Sequence, residues 1–146
     1  MSELPHAKSF RELIVYQKTR LLAREIFELT KKFPREEMYS LTDQIRRSSR
    51  SIGAQIAEAW AKRWYKKSFI NKLVDADGEQ METQHWIGIA FDCGYLDRER
   101  ATSLKATCEE IGRLLGSMII KADKFSNPEA LQVREEQAEY FTATED

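Results

Sequence analysis

Between Leu104 and Phe125 the residues Leu104, Cys108, Ile111, Leu115, Met118, Ala122 and Phe125 recur at alternating steps of four and three, without a slip. On a helix this spacing draws one narrow apolar stripe, whereas on a strand it would scatter over both faces. A helix with such a stripe gains most of its stability by burying it, so the pattern demands partners of the same kind. Only six glycines and three prolines punctuate 146 residues. That scarcity favours long helices over a sheet protein with its many turns.

Three further segments supply the partners. From Phe10 to Phe33 the residues Val15, Leu22, Ile26, Leu29 and Phe33, reinforced by Ile14 and Leu21, predict a first helix. Pro34 stops it by pushing Phe33 out of the helical region. A second helix is expected from Ser40 or Thr42, with Ser40 and Asp43 in the relation of a capping box. Its inward line is Leu41, Ile45, Ser48, Ile52, Ile56 and Ala59. Around it Ser49, Ser51, Gly53, Ala54 and Ala57 are small enough for another helix to come close, which offsets the roughly 1 kcal/mol that Gly53 costs in helix propensity.

The third helix, about Lys67 to Cys93, has its seam at Phe69, Leu73, Ala76, Ile87 and Ala90. Asp77, Gly78, Glu79 and Gln80 interrupt that seam, predicting a bend or a polar contact. Gly94 suits a left-handed stop and Asp97 a cap for helix four. The fold expected is an all-α, up-down-up-down four-helix bundle over residues 10–125. Residues 1–9 are read as an N-terminal extension. Residues 126–146 are read as an acidic tail, either a short helix begun at Pro128 or a segment without fixed structure.

The formal net charge of −1 hides a division: residues 1–72 carry +8 and residues 73–146 carry −9. The densest cationic stretch is Gln44 to Lys67, with seven lysines and arginines against one acid. Arg46, Arg47 and Arg50 fall within about one turn, while Lys62, Arg63, Lys66 and Lys67 gather past the helix end, roughly 18 Å or more away. Trp60, Trp64 and Tyr65 interleave with the second group. Two readings of these residues stand open. Arginine and lysine could hold phosphates while Trp64 stacks on an unpaired base. Alternatively the tryptophans pack the bundle end or a subunit contact, and the arginines pair with Glu36, Glu37, Glu58 or the acidic third helix of a neighbour. The candidate nucleic-acid-binding residues are therefore Arg46, Arg47, Arg50, Lys62, Arg63, Trp64, Lys66 and Lys67.

No catalytic residue, cofactor or metal is assigned. Glu82 and His85 stand at i,i+3, the spacing of a di-iron bundle ligand pair, but His6 is the one other histidine and falls outside the bundle. Cys93 and Cys108 lack metal-site spacing and are read as two buried thiols. No run of about 18 apolar residues and no secretory apolar region occur, so no membrane partner is expected and the cytoplasm is the expected compartment.

The run FRELIVYQKTRLLAREIFELTKKFPREEMYSL, followed by QIRRSSRSIGAQIAEAWAKR, KSFINKLVDADGEQMETQ and CGYL, resembles the bacterial four-helix-bundle proteins named for the intervening sequences of 23S ribosomal RNA genes. The likeness spans about residues 9–125. Phe33-Pro34, Gln44-Ile45-Arg46-Arg47, Ser51-Ile52 and Ile56-Ala57-Glu58 are its most specific parts. It implies a homo-oligomer, with a pentameric ring as the associated form. The accessory protein of diversity-generating retroelements is similar in bundle and ring, and its nucleic-acid binding raises RNA or DNA as a partner. Gln55, Ala59 and Gly78-Glu79 depart from the pattern, where Asn, Gly and Gly-Ser are usual. The function expected is that of a non-enzymatic oligomeric bundle binding RNA or DNA through basic patches; the alternative is a protein-interaction scaffold.

Overall fold

The computed structural model describes residues 7–126. Four helices run through them: α1 Ile14–Thr30, α2 Leu41–Ala61, α3 Lys66–Asp92 and α4 Arg98–Ile120. Among the described residues no strand forms, and no helix is long and apolar enough to cross a membrane. Each helix packs on its neighbour in sequence, and α4 closes the ring against α1. The short connections force an antiparallel order. Cross-links agree with it: Ser48 meets Thr83 while Glu58 meets Lys72 between α2 and α3, and Lys18 meets Glu110 while Arg100 meets Glu25 between α1 and α4.

The seam of α4 is buried at every expected position, from Leu104 to Phe125. So is the inward line of α2. Helix α1 departs at its start. Phe10–Glu12 is instead a single 3-10 turn capped by Ser9, whose hydroxyl oxygen accepts from the Arg11 amide. Leu13 is then extended, at φ −68° and ψ 130°, before α1 begins. The kink sends the Leu13 side chain into the core, where it is 1% exposed, and sets Phe10 edge-on against Tyr16. Leu21 also departs from expectation, lying on the outer face at 63% exposure.

The polar interruption of α3 resolves as a polar contact within an unbroken helix. Gln80 and Thr83 complete the seam inside the bundle, both buried. The Gln80 amide donates to Asp77 at 2.9 Å and accepts from Gln84 at 2.8 Å. The Thr83 hydroxyl lies 2.8 Å from the Glu79 carbonyl and 2.9 Å from the Ser48 hydroxyl across on α2. All but one of these bonds lie within α3, so the buried polar groups are satisfied locally, and the Thr83–Ser48 contact is the one that ties α3 to α2 here. Gly112 on α4 gives the Gln80 amide its space: a Cβ there would come within 2.8 Å of Nε2.

The ends are set by local chemistry. Gly94 takes φ 79°, a left-handed stop. Asp97 then caps α4 by accepting from the Arg100 amide at 2.7 Å. Ser40 does stand at the N-cap of α2, but its side chain makes no capping bond. Its backbone, at φ −127° and ψ −109°, lies outside the extended region that a capping side chain needs. Gly53 allows the close approach of α1 expected of it, since a Cβ would sit 3.0 Å from the Thr19 hydroxyl. Of the two thiols, Cys108 is buried and pushed up to about 12, by burial first and then by Glu109. Cys93 is exposed instead of buried, because it follows the last turn of α3 at the bundle end. From residue 127 onward the acidic tail lies outside the described residues, as do residues 1–6 of the N-terminal extension.

Candidate nucleic-acid interface

The eight cationic and aromatic candidates separate into two places, as the length of α2 requires. Arg46, Arg47 and Arg50 line one open groove of about 500 Å³, together with Met38, Tyr39, Thr42, Asp43, Ser51 and Ala54. Their register is a property of the helix: Arg46 and Arg50 are one turn apart, about 6 Å along the axis. Among the described residues none of the three forms an ion pair with a carboxylate, so the expected pairing with Glu36, Glu37 or Glu58 is not made within the chain. Glu58 pairs with Lys72 at 2.8 Å, because α3 brings that lysine alongside the C-terminal half of α2. The hydrogen bond and charge of Lys72 hold the Glu58 carboxyl below its ordinary value.

What holds the arginines is an aromatic ring. The guanidinium of Arg46 lies 4.7 Å from the Phe27 centroid and that of Arg50 5.4 Å. The Lys31 ammonium lies 4.8 Å from the same centroid. Arg46 also donates from Nε to the Thr30 hydroxyl at 2.8 Å. Three cations thus converge on one ring, and the ring quadrupole attracts each while they repel one another. Of the three, Lys31 is already paired with the Glu28 carboxylate at 3.1 Å, whereas the two guanidiniums have no such pair among the described residues.

Arg47 faces α3. There Glu79 is pushed above its ordinary value of 4.5, first by burial and then by its hydrogen bond and repulsion with Glu82, while Arg47 pulls it the other way. A carboxyl raised on folding favours the protonated fold, so its contribution is full below pH 4.5 and is lost as pH rises through the folded value. Glu79→Gln removes that loss. A small rise in melting temperature is expected at pH 7 and little change at pH 4; a fall at pH 7 would contradict this.

The second group clusters at the corner between α2 and α3. Arg63 folds back, its guanidinium 4.1 Å from the Trp60 ring centroid and 4.1 Å from that of Trp64, and donates to the Trp60 carbonyl at 2.9 Å. Trp60 packs edge-on against Phe125 in the core. Trp64 is half-buried, with Arg63 over its ring. Lys66 is engaged with Asp123 at 2.7 Å in an exposed pair. Lys62 and Lys67 are exposed. Among the described residues no group of three or more histidines, cysteines, aspartates or glutamates converges as a metal site.

The family model of the 23S rRNA-intervening sequence protein matches residues 11–117, which hold all eight candidates. The chain belongs to this family. A solved structure of a protein of unknown function from the S23 ribosomal protein family of Bacteroides thetaiotaomicron VPI-5482 is similar, with 36% identity and a TM-score of 0.66. The match covers 73% of this chain and 95% of that one. No curated protein matches the chain.

The groove contains residues that the charge pattern did not single out. Tyr39 and Met38 line it, at 95% and 44% exposure. Phe27, the ring against which Arg46, Arg50 and Lys31 lie, belongs to α1 and not to the groove lining, and no spacing along α2 could reveal it. Tyr39 had a signal in the sequence: a large aromatic in the short link PREEMY, off any helical stripe.

Proposed function

We propose that this protein is a non-enzymatic, homo-oligomeric bundle that binds RNA or DNA through the cationic face of α2. The observation that carries the reading is the row Arg46, Arg47 and Arg50 along an open groove, none of them in a close ion pair among the described residues, although Arg47 acts on the Glu79 carboxyl at longer range. Such a row attracts phosphates whatever their sequence, and copies arranged in a ring would multiply the attraction. The names of the family and of the S23 neighbour refer to ribosomal RNA and to the ribosome, which suits an RNA partner.

Binding of single- and double-stranded RNA and DNA over a salt series tests it. If one protomer engages three phosphates of a single strand, affinity should fall roughly twentyfold between about 50 and 200 mM salt. Replacing the three arginines by alanine should flatten that dependence. No detectable affinity for any of the four nucleic acids at low salt, with the assembled protein, removes the reading.

A second reading, a protein-interaction scaffold, is favoured by the outer face of α3. Val74 and Met81 stand there seven residues apart, 53% and 57% exposed, with Gly78 between them open to its surroundings. The scaffold reading expects Lys66→Glu with Lys67→Glu to alter sedimentation more than nucleic-acid affinity.

A further inference from the structure

We propose that the groove of α2 takes a single-stranded nucleic acid, with one base stacked on Tyr39 and the adjoining phosphates on Arg46, Arg47 and Arg50; this rests on the nucleic-acid reading of the same groove. Tyr39 sits in the turn immediately before α2 and is 95% exposed. Among the described residues its ring meets no aromatic partner and its hydroxyl no hydrogen-bond partner. It lines the same groove as Arg46, Arg47 and Arg50.

Phosphate contacts alone do not separate a single strand from a duplex, since both carry the charge. An upstanding tyrosine ring does. Every unpaired base offers a π-face to stack on it, while bases inside a duplex are already stacked on their neighbours. Asp43 gives the groove a direction. It lies in the first turn of α2, four residues after Tyr39, and repels phosphate, while its carboxylate accepts from the ring N–H of an unpaired uracil or thymine. The strand backbone is therefore held toward Arg46 and Arg50, with the base at the Tyr39 end. Met38, 44% exposed beside Tyr39, extends the apolar platform.

The test uses the full chain and labelled oligo-uridine, oligo-thymidine and a duplex of equal length, by fluorescence anisotropy at low salt. Tyr39→Ala is expected to weaken single-strand binding about five- to 150-fold, the range of one lost stacking contact. Duplex affinity should stay as it was, and Tyr39→Phe should retain single-strand binding. The two oligonucleotides compare an RNA strand with a DNA strand whose bases differ only by the thymine methyl. If Tyr39→Ala leaves single-strand affinity unchanged while the triple arginine-to-alanine variant loses it, stacking is wrong and the cationic reading survives. If the triple variant keeps full affinity, the groove itself is wrong. A changed sedimentation coefficient for Tyr39→Ala would make Tyr39 a contact between copies, and overturns the proposal.

Discussion

Phe69→Ala is expected to lower the stability of the bundle by about 3–5 kcal/mol, the cost of emptying a closed aromatic site. Phe69 is completely buried, and its ring centroid lies 5.2 Å from that of Phe125. Phe125 in turn meets Trp60 at 6.4 Å, so the three rings seal the end of the bundle where α2, α3 and the 3-10 turn Ala122–Lys124 meet. Alanine leaves a cavity that Phe125 cannot fill without giving up Trp60. For a domain of this size the melting temperature should fall by roughly 10–15 °C. Val74→Ala, on the outside of the same helix, should change it little. A Phe69→Ala protein that melts within a few degrees of the parent would show that this end is loosely packed.

The second large effect is expected from adding atoms. Ser48 is 2% exposed at the contact of α2 with α3, facing the Thr83 hydroxyl. Ser48→Leu forces a branched side chain into that space and should cost about 3 kcal/mol, the upper part of the range for overpacking. Ser48→Ala should cost much less. Thr83 keeps the Glu79 carbonyl as a partner, so no donor is stranded. Thermal melts of the two variants decide the matter. If Leu is tolerated as well as Ala, the helices are not in close contact at Ser48.

The contrast explains what could be read in advance. The inward stripe of α4 was legible because each inward position is apolar and the period never slips, although the helix ends at Ile120 and Ala122 and Phe125 continue the stripe from the 3-10 turn that follows. In α2 the serines were legible as contact positions because small size, and not hydrophobicity, marks a close approach. The middle of α3 was only half legible. Gln80 and Thr83 carry the hydrophobic seam in polar form, and the partner that makes Thr83 comfortable stands 35 positions away on another helix. Leu21 failed the other way, since an apolar residue one step off the stripe does not reveal that it faces water.

The candidate site divides along similar lines. Arg46, Arg47 and Arg50 were legible as a cluster because one helix holds them. Their surroundings were not, since Phe27, Lys31 and Thr30 reach them from α1. Trp64, the aromatic chosen from sequence for stacking, is covered by its own neighbour Arg63, whereas Tyr39 stands clear. Adjacency in sequence pointed to Trp64 as the companion of the cations, and the exposed aromatic beside Arg46 is Tyr39, in the turn before α2.

Phe27 carries one more consequence. A flexible arginine loses rotamer freedom when it grips a ligand, which subtracts from affinity. Two of these guanidiniums already rest against a ring, and Arg46 is tethered by a hydroxyl as well. Much of that ordering has happened by the time the chain is folded, so under the proposed function a polyanion would find a mould already cast. Conserving the positive charge alone, by lysine in place of arginine, would not preserve it.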